Sequence, residues 1–357
     1  MYKRILPLLI FTCCACTVAA QSRLLKWLRT ENDTAYIEDH TEDITFRLYG
    51  SRKFTSYDIS DRKQSRHILY RPNTPFNIGV GANYRFIGLN VGFNFPFINR
   101  QNEKYGRTKY LDLQTHIYLR KLVVDLYWQH YKGYYVSNAE DVFGKSYALA
   151  NPHPQRPDIN NLDIGANVQY IFNDKKFSYR APNLQNEYQK KSAGSLIVGG
   201  EVFFVRVKGD SSLIPSNLKD TTFLRKEHYY RTTIASLAGN VGYAYTFVLR
   251  KHLFLSLSVT AGLGVASTKL NMEDGSTSRQ IGWHFSNTVR ASLGYNSSRY
   301  FAGIHYVGMT NRSEMPIPHT YQAFGTGNLR VSLVHRFALK KPLWRQEQLR
   351  QVLNKGV

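Results

Sequence analysis

The chain has 357 residues, with 47 Lys and Arg against 25 Asp and Glu, and a formal net charge of +22. That length excludes a small stapled module, and the lack of any apolar run of about 18 residues beyond the N-terminus excludes transmembrane helices. Abundant Tyr (25) and Phe (20), with Gly (25) spread throughout, favour strands and turns over helices.

The first element is a leader. MYKRILPLLIFTCCACTVAAQS joins a basic start (Lys3, Arg4) to a short apolar stretch (Ile5 to Phe11) and small residues at Val18, Ala19 and Ala20. This is the pattern of a signal peptide over residues 1–20, cut after Ala20. Cys13, Cys14 and Cys16 all lie inside it, so neither disulfides nor thiol chemistry are expected in the mature chain. The competing reading, a lipid anchor on Cys16, has Cys13 where that signal calls for Leu. Export makes nucleic acid a poor partner for so basic a chain and turns attention to anionic lipid and lipopolysaccharide.

Strand signals begin at 44–59 and sharpen in FNIGVGANYRFIGLNVGFNFPF (76–97), which is long enough for a membrane helix yet has period 2. Phe76, Ile78, Val80, Ala82 and Tyr84 alternate with Asn77, Gly79, Gly81, Asn83 and Arg85. The alternation then resumes one position out of step from Ile87 to Phe97. A two-residue loop at Arg85-Phe86 would set Tyr84 opposite Ile87, Ala82 opposite Leu89 and Asn77 opposite Asn94. All apolar residues then share one face, a consistency that a register slip would destroy. Arg-Phe lacks the Gly/Asn chemistry of tight hairpins, and a four-residue loop of the same parity would serve equally. The phase flip recurs at Arg120-Lys121, between 109–119 and 122–128. Alternating segments follow at 162–172, 195–207, 231–247, 253–265, 283–295, 300–306 and 327–337.

About twelve strands result, of roughly ten residues each, the length of a tilted strand crossing a bilayer. Short links (85–86, 120–121, around Arg250, 296–299) alternate with long ones (60–74, 98–108, 132–160, 208–230, 269–280, 311–326). This asymmetry describes an all-β, antiparallel up-and-down barrel in an outer membrane, spanning 44–337, with its oily face toward lipid and both chain ends in the periplasm. The competitor is a soluble sandwich. The link 173–194 breaks the rule, being long where a short one is due. Residues 21–43 and 338–357 read as periplasmic flanks with room for short basic helices, Trp27 or Trp344 resting on the inner leaflet.

Several stretches carry a resemblance: DTAYIED (33–39), ITFRLYGSRKFTSYDI (44–59), KYLDLQTHIYLRK (109–121), RPDI (156–159), QYIFNDKKFSYRAPNLQNEYQKKSAGS (169–195) and VKGDSSLIP (207–215). Together with 76–99 and KGYYV (132–136) they resemble the domain-of-unknown-function family number 4421, outer-membrane barrel proteins of Gram-negative bacteria. The resemblance implies compartment and fold, and it brings no catalytic residues.

The alternation points Arg85, Asp112, His116, Asp125, Asp163, Arg290, Arg330 and Arg336 into the lumen, with Glu201 beside them. Acidic groups fall on the middle strands and arginines on the early and late ones, which meet when a barrel closes. Opposed charged walls could line a pore or cross-link a narrow interior. With a two-residue turn, His116 faces Asp125, which could serve as an acid/base pair or as a plain lumen ion pair. Inward glycines (Gly79, Gly81, Gly88, Gly92) leave space for a tucked-in segment. His284 and Ser286 share a face but form only a weak signal. No phosphate loop, metal spacing or cofactor motif is present. The expected function is structural or transport-type, with a polar lumen that is either open or plugged. The alternatives are an envelope enzyme acting on lipid or peptide, and an assembly protein whose basic ends dock a periplasmic partner.

Overall fold

The computed structural model describes residues 31–84, 87–95, 97–98, 101–219 and 222–339, and for Ile87 and Gly88 the backbone alone. The leader and most of both expected flanking helices lie outside the described residues, as does Arg85. In chain order the strands are β1 (Ile37–Asp39), β2 (Ile44–Asp61), β3 (Arg66–Arg71), β4 (Phe76–Tyr84), β5 (Ile87–Asn94), β6 (Lys109–Tyr118), β7 (Leu122–Val136) and β8 (Gln155–Ile171). They continue with β9 (Glu187–Gln189), β10 (Ala193–Lys208), β11 (Tyr229–Leu249), β12 (Leu253–Met272), β13 (Thr277–Asn296), β14 (Tyr300–Glu314) and β15 (Thr320–Phe337).

The fold is an antiparallel closed barrel. From β7 through β8 and β10 to β15 each strand pairs with the next, and β15 returns to β2 along Phe337↔Ile44 to Thr320↔Asp61. Every expected strand forms, but the hydrogen-bonded ring that closes has 10 members. The reason lies in the expected loop 60–74, which contains β3. This short strand pairs with the upper half of β2 and meets β7 at Tyr70↔Val136 and Arg71↔Tyr135. Strands β4 and β5 extend from the lower half of β2, and β6 pairs along β7.

The hairpin registers follow from side-chain parity. Tyr84↔Ile87, Ala82↔Leu89 and Asn77↔Asn94 pair as the alternation requires, and so do His116↔Asp125 and Tyr118↔Val123. Strand lengths depart from expectation: β12 and β13 run 20 residues each, so 269–280 and 311–326 are mostly strand rather than loop. Beyond the oily belt the outward face turns polar, as at Lys269, Asn271 and Arg279, while Leu270 and Met272 pack inward, so the oily-out pattern ends although backbone pairing continues.

The outward face is apolar on each strand in turn: Leu48, Val80, Leu113, Trp128, Ile164, Val241, Val259, Phe285 and Leu333 are all exposed. On a water-soluble protein this belt would be an aggregation surface, and its continuity matches the lipid-facing band of a membrane barrel. Inward neighbours such as Asn167, Gln169, Thr260 and Thr288 are buried. A sandwich would bury the oily set instead.

The interior is filled at both ends. At the loop end an aromatic stack (Tyr57 to Phe324, ring centroids 4.8 Å apart) packs with Tyr70, Tyr131 and Tyr229. The β10–β11 link folds inward onto it, burying Leu213, Ile214, Phe223 and Leu224, and the Tyr70 hydroxyl donates to the Leu213 carbonyl at 2.6 Å. At the turn end the anomalous 173–194 link enters the barrel. Phe177 and Tyr179 pack with Tyr118, Val123, Ile171 and Ile197, and β9 of this link pairs with β1, so the N-terminal segment helps close the mouth.

Candidate functional site: the plugged lumen

The plug is held by its backbone. A single helical turn, Arg180–Asn183, ends with its carbonyls directed at the wall. Asn183 O accepts from Arg330 Nη2 (3.2 Å), and Leu184 O accepts from Arg47 Nη2 (2.9 Å) and Asn83 Nδ2 (2.9 Å). Gln185 O accepts from Arg336 Nε (2.7 Å), and Glu187 O from Arg336 Nη2 (3.2 Å) and Asn296 Nδ2 (3.1 Å). Carbonyls at a helix end carry partial negative charge, so cations are the fitting partners. The strands that meet at closure, β2 and β15, deliver these cations because arginines sit at their inward positions. Within the plug, the Glu187 carboxylate accepts from Ser178 Oγ (2.5 Å) and pairs with Arg120 (2.9 Å) and Arg180 (3.3 Å).

One level deeper a polar chain crosses the lumen. His116 Nδ1 lies 2.6 Å from Asp125 Oδ1, and Asp125 Oδ2 accepts from Arg290 Nη2 on the far wall. Arg290 Nη1 donates to Tyr179 Oη of the plug (2.9 Å), which also contacts Ser258 Oγ (3.0 Å). Asp125 and Arg290 are buried at 0% and 4% exposure. The acidic and basic walls therefore touch, and the contact occupies space that a conducting pore would need. An ion pair this buried persists only where its remaining hydrogen-bonding groups also find partners, which His116 and Tyr179 provide.

The remaining candidates are distributed. Asp112 pairs with Lys53 (3.1 Å) and accepts from Tyr131 Oη (2.5 Å). Asp163 is buried on β8 with Oδ1 lacking a partner, and Glu201 accepts from Asn240 Nδ2 (3.1 Å). His284 contacts Ser313 Oγ (2.9 Å) and not Ser286. Sequence reasoning missed Arg47 and the plug-facing role of Asn83 and Asn296. Arg47 sits at an inward position of β2, a signal available in the alternation of 44–59. What it holds was not available, because its partner lies 137 residues away. The bare inner face of β4 also has a local occupant: a Cβ on Gly79 would come within 2.5 Å of the Tyr49 ring, and one on Gly81 within 2.1 Å of Asn90 Oδ1. A wall tyrosine and a wall asparagine, rather than the plug, use that room.

Beside the plug residues Asn183 and Leu184 lies a cavity of about 230 Å³, lined among others by Arg47, Asn83, Gln114, His116, Tyr127, His305 and Arg330. Among the described residues no cluster of three metal-ligating side chains occurs.

A family model described as "Domain of unknown function (DUF4421)" matches residues 31–337. No curated protein matches the chain. Among solved structures, the outer membrane protease OmpT from Escherichia coli is similar with TM-score 0.38 and 7% identity, covering 84% of this chain and 98% of that one. The translocator domain of the autotransporter NalP from Neisseria meningitidis gives 0.32 and 11%, covering 91% and 98%. The toluene transporter TodX of P. putida gives 0.20 and 7%, covering 83% and 91%. These likenesses transfer no activity.

Proposed function

The chain belongs to the DUF4421 family, and from that premise we propose that it is a transport-type outer-membrane barrel held closed at rest by the 173–192 plug, with both chain ends in the periplasm. The observation that carries this reading is the clamp of Arg47, Asn83, Asn296, Arg330 and Arg336 on the plug carbonyls. Such bonds secure a segment without cementing it. Each can be replaced by water when the segment leaves, while the apolar contacts of Phe177 and Tyr179 favour the docked state at rest. The orientation is supported by the short turns, which share an end of the barrel with Ile44 and Phe337.

The test is planar-bilayer conductance of the full chain against a variant with both 176–189 and the inward-folded β10–β11 link, which buries Leu213, Ile214, Phe223 and Leu224, replaced by short Gly/Ser linkers. The intact protein should be silent and the variant should show discrete steps. Steady conductance from the intact protein would refute a closed resting state. An enzyme reading is less well supported, because both oxygens of Asp125 are engaged and, among the described residues, no hydroxyl nucleophile is hydrogen-bonded to His116. Hydrolysis of lipid or peptide that disappears in His116→Ala or Asp125→Ala would reverse that preference.

A further inference from the structure

The barrel wall is discontinuous on one side. Among the described residues β5 has one partner strand, β4, and β6 has one, β7. Above them β3 and β7 join directly through Tyr70↔Val136 and Arg71↔Tyr135, so the strands close over a slot flanked by β5 and β6.

The lumen cavity reaches this slot. Its lining includes Gln114 and His116, which point inward from β6, and also Thr115 and Ile117, which point outward from the same strand. A cavity lined by consecutive residues of a strand that has a single partner among the described residues runs along that strand's open edge. Asn90 of β5 lines the opposite side. The lips carry Leu89, Leu111 and Leu113, exposed at 69%, 48% and 50%.

The chemistry changes sharply from lip to chamber. The lining holds Arg47, Arg330, His116 and His305 and no carboxylate. Neither arginine has an acidic partner within ion-pair distance among the described residues, and the Nε of each is buried without a hydrogen-bond partner. Arg47 is only 2% exposed. Two buried guanidinium groups facing plug carbonyls and each other form a cationic site short of anionic partners, a costly arrangement that an acidic group would relieve.

We propose that the chamber binds the acidic headgroup of an anionic lipid admitted sideways from the bilayer between β5 and β6. The phosphate or carboxylate sits against Arg47 and Arg330, and the acyl chain stays in the slot among Leu89, Leu111 and Leu113. A cavity of about 230 Å³ accommodates a headgroup and not a whole lipid, so the tail must remain outside, where the lips are apolar. This goes beyond the closed-barrel reading, which stands or falls on conductance alone.

The test is native mass spectrometry of the full chain in detergent, with phosphatidylglycerol, oleate or phosphatidylcholine added, and with inorganic phosphate as a soluble competitor. Phosphatidylglycerol and oleate should be retained about tenfold over phosphatidylcholine, the effect of one charge-assisted hydrogen bond, and millimolar phosphate should not displace them. Arg47→Gln with Arg330→Gln should abolish the preference. Because those arginines also hold the plug, Thr115→Trp provides the second arm: it leaves both in place, fills the slot and should abolish retention equally. Equal retention of all lipids would overturn the proposal. So would retention unaffected by Thr115→Trp. Displacement by phosphate would show a site for a free anion, with no route from the bilayer.

Discussion

Arg336→Ala tests whether the clamp sets the resting state. Arg336 donates two bonds to the plug, to Gln185 O at 2.7 Å and to Glu187 O at 3.2 Å, while its other contacts, to Ser297 O and Asn296 Oδ1, stay within the wall. A hydrogen bond from a charged donor contributes about 1.5–3 kcal/mol, so the substitution weakens plug docking by about 3–6 kcal/mol. At about 1.4 kcal/mol per tenfold, the undocked fraction should rise by roughly two to four orders of magnitude. Ala181 is 2% exposed in the docked plug, and Ala181→Cys in a chain with Cys13, Cys14 and Cys16 changed to Ser makes a reporter of undocking. Its rate of thiol labelling follows the open fraction when opening and closing are fast relative to the label. The barrel itself should remain folded, as judged by heat-modifiable electrophoretic mobility. A labelling rate within about threefold of the parent, in a folded barrel, would refute the reasoning, since the bonds would then contribute under about 1 kcal/mol.

Three further outcomes are expected. Asp125→Leu leaves the Arg290 guanidinium buried without its carboxylate and should destabilise the barrel by about 3–5 kcal/mol in denaturant unfolding, whereas Asp125→Leu combined with Arg290→Met should recover most of that loss. Val259→Arg, in the outward belt, should cost about 2–4 kcal/mol in a lipid-reconstituted folding assay; a neutral effect would contradict a lipid-facing wall. Gly133 has φ of +96°, and a Cβ there would lie 2.3 Å from the Arg107 carbonyl oxygen, so Gly133→Ala should lower stability by about 1–3 kcal/mol. A larger hydrophobic residue on the outward face of the same strand should not.

The parts legible in the sequence were those set by neighbours in the chain. The 84/87 and 116/125 pairings follow from parity across two-residue turns, because side chains alternate faces at each residue and a slip would expose every inward group to lipid. The outward set from Leu48 to Leu333 was readable for the same reason. The anomalous length of 173–194 was also visible, though not its destination. Asp125 and Arg290 were readable as inward charges on opposite walls, but their direct contact depends on lumen width, which alternation does not encode.

Sequence alone determined the all-β class, the division of each strand into an oily and a polar face, and the hairpin registers, since a period of two is a local property of the extended backbone. Tertiary structure decided the rest. Closure through β3, which leaves β5 and β6 unpaired with each other, and the docking of plug carbonyls on Arg47, Arg330 and Arg336 both join residues distant in the chain. Such pairings are chosen by which hydrogen-bonding groups remain unsatisfied once the wall has formed, and that accounting exists only in the assembled barrel.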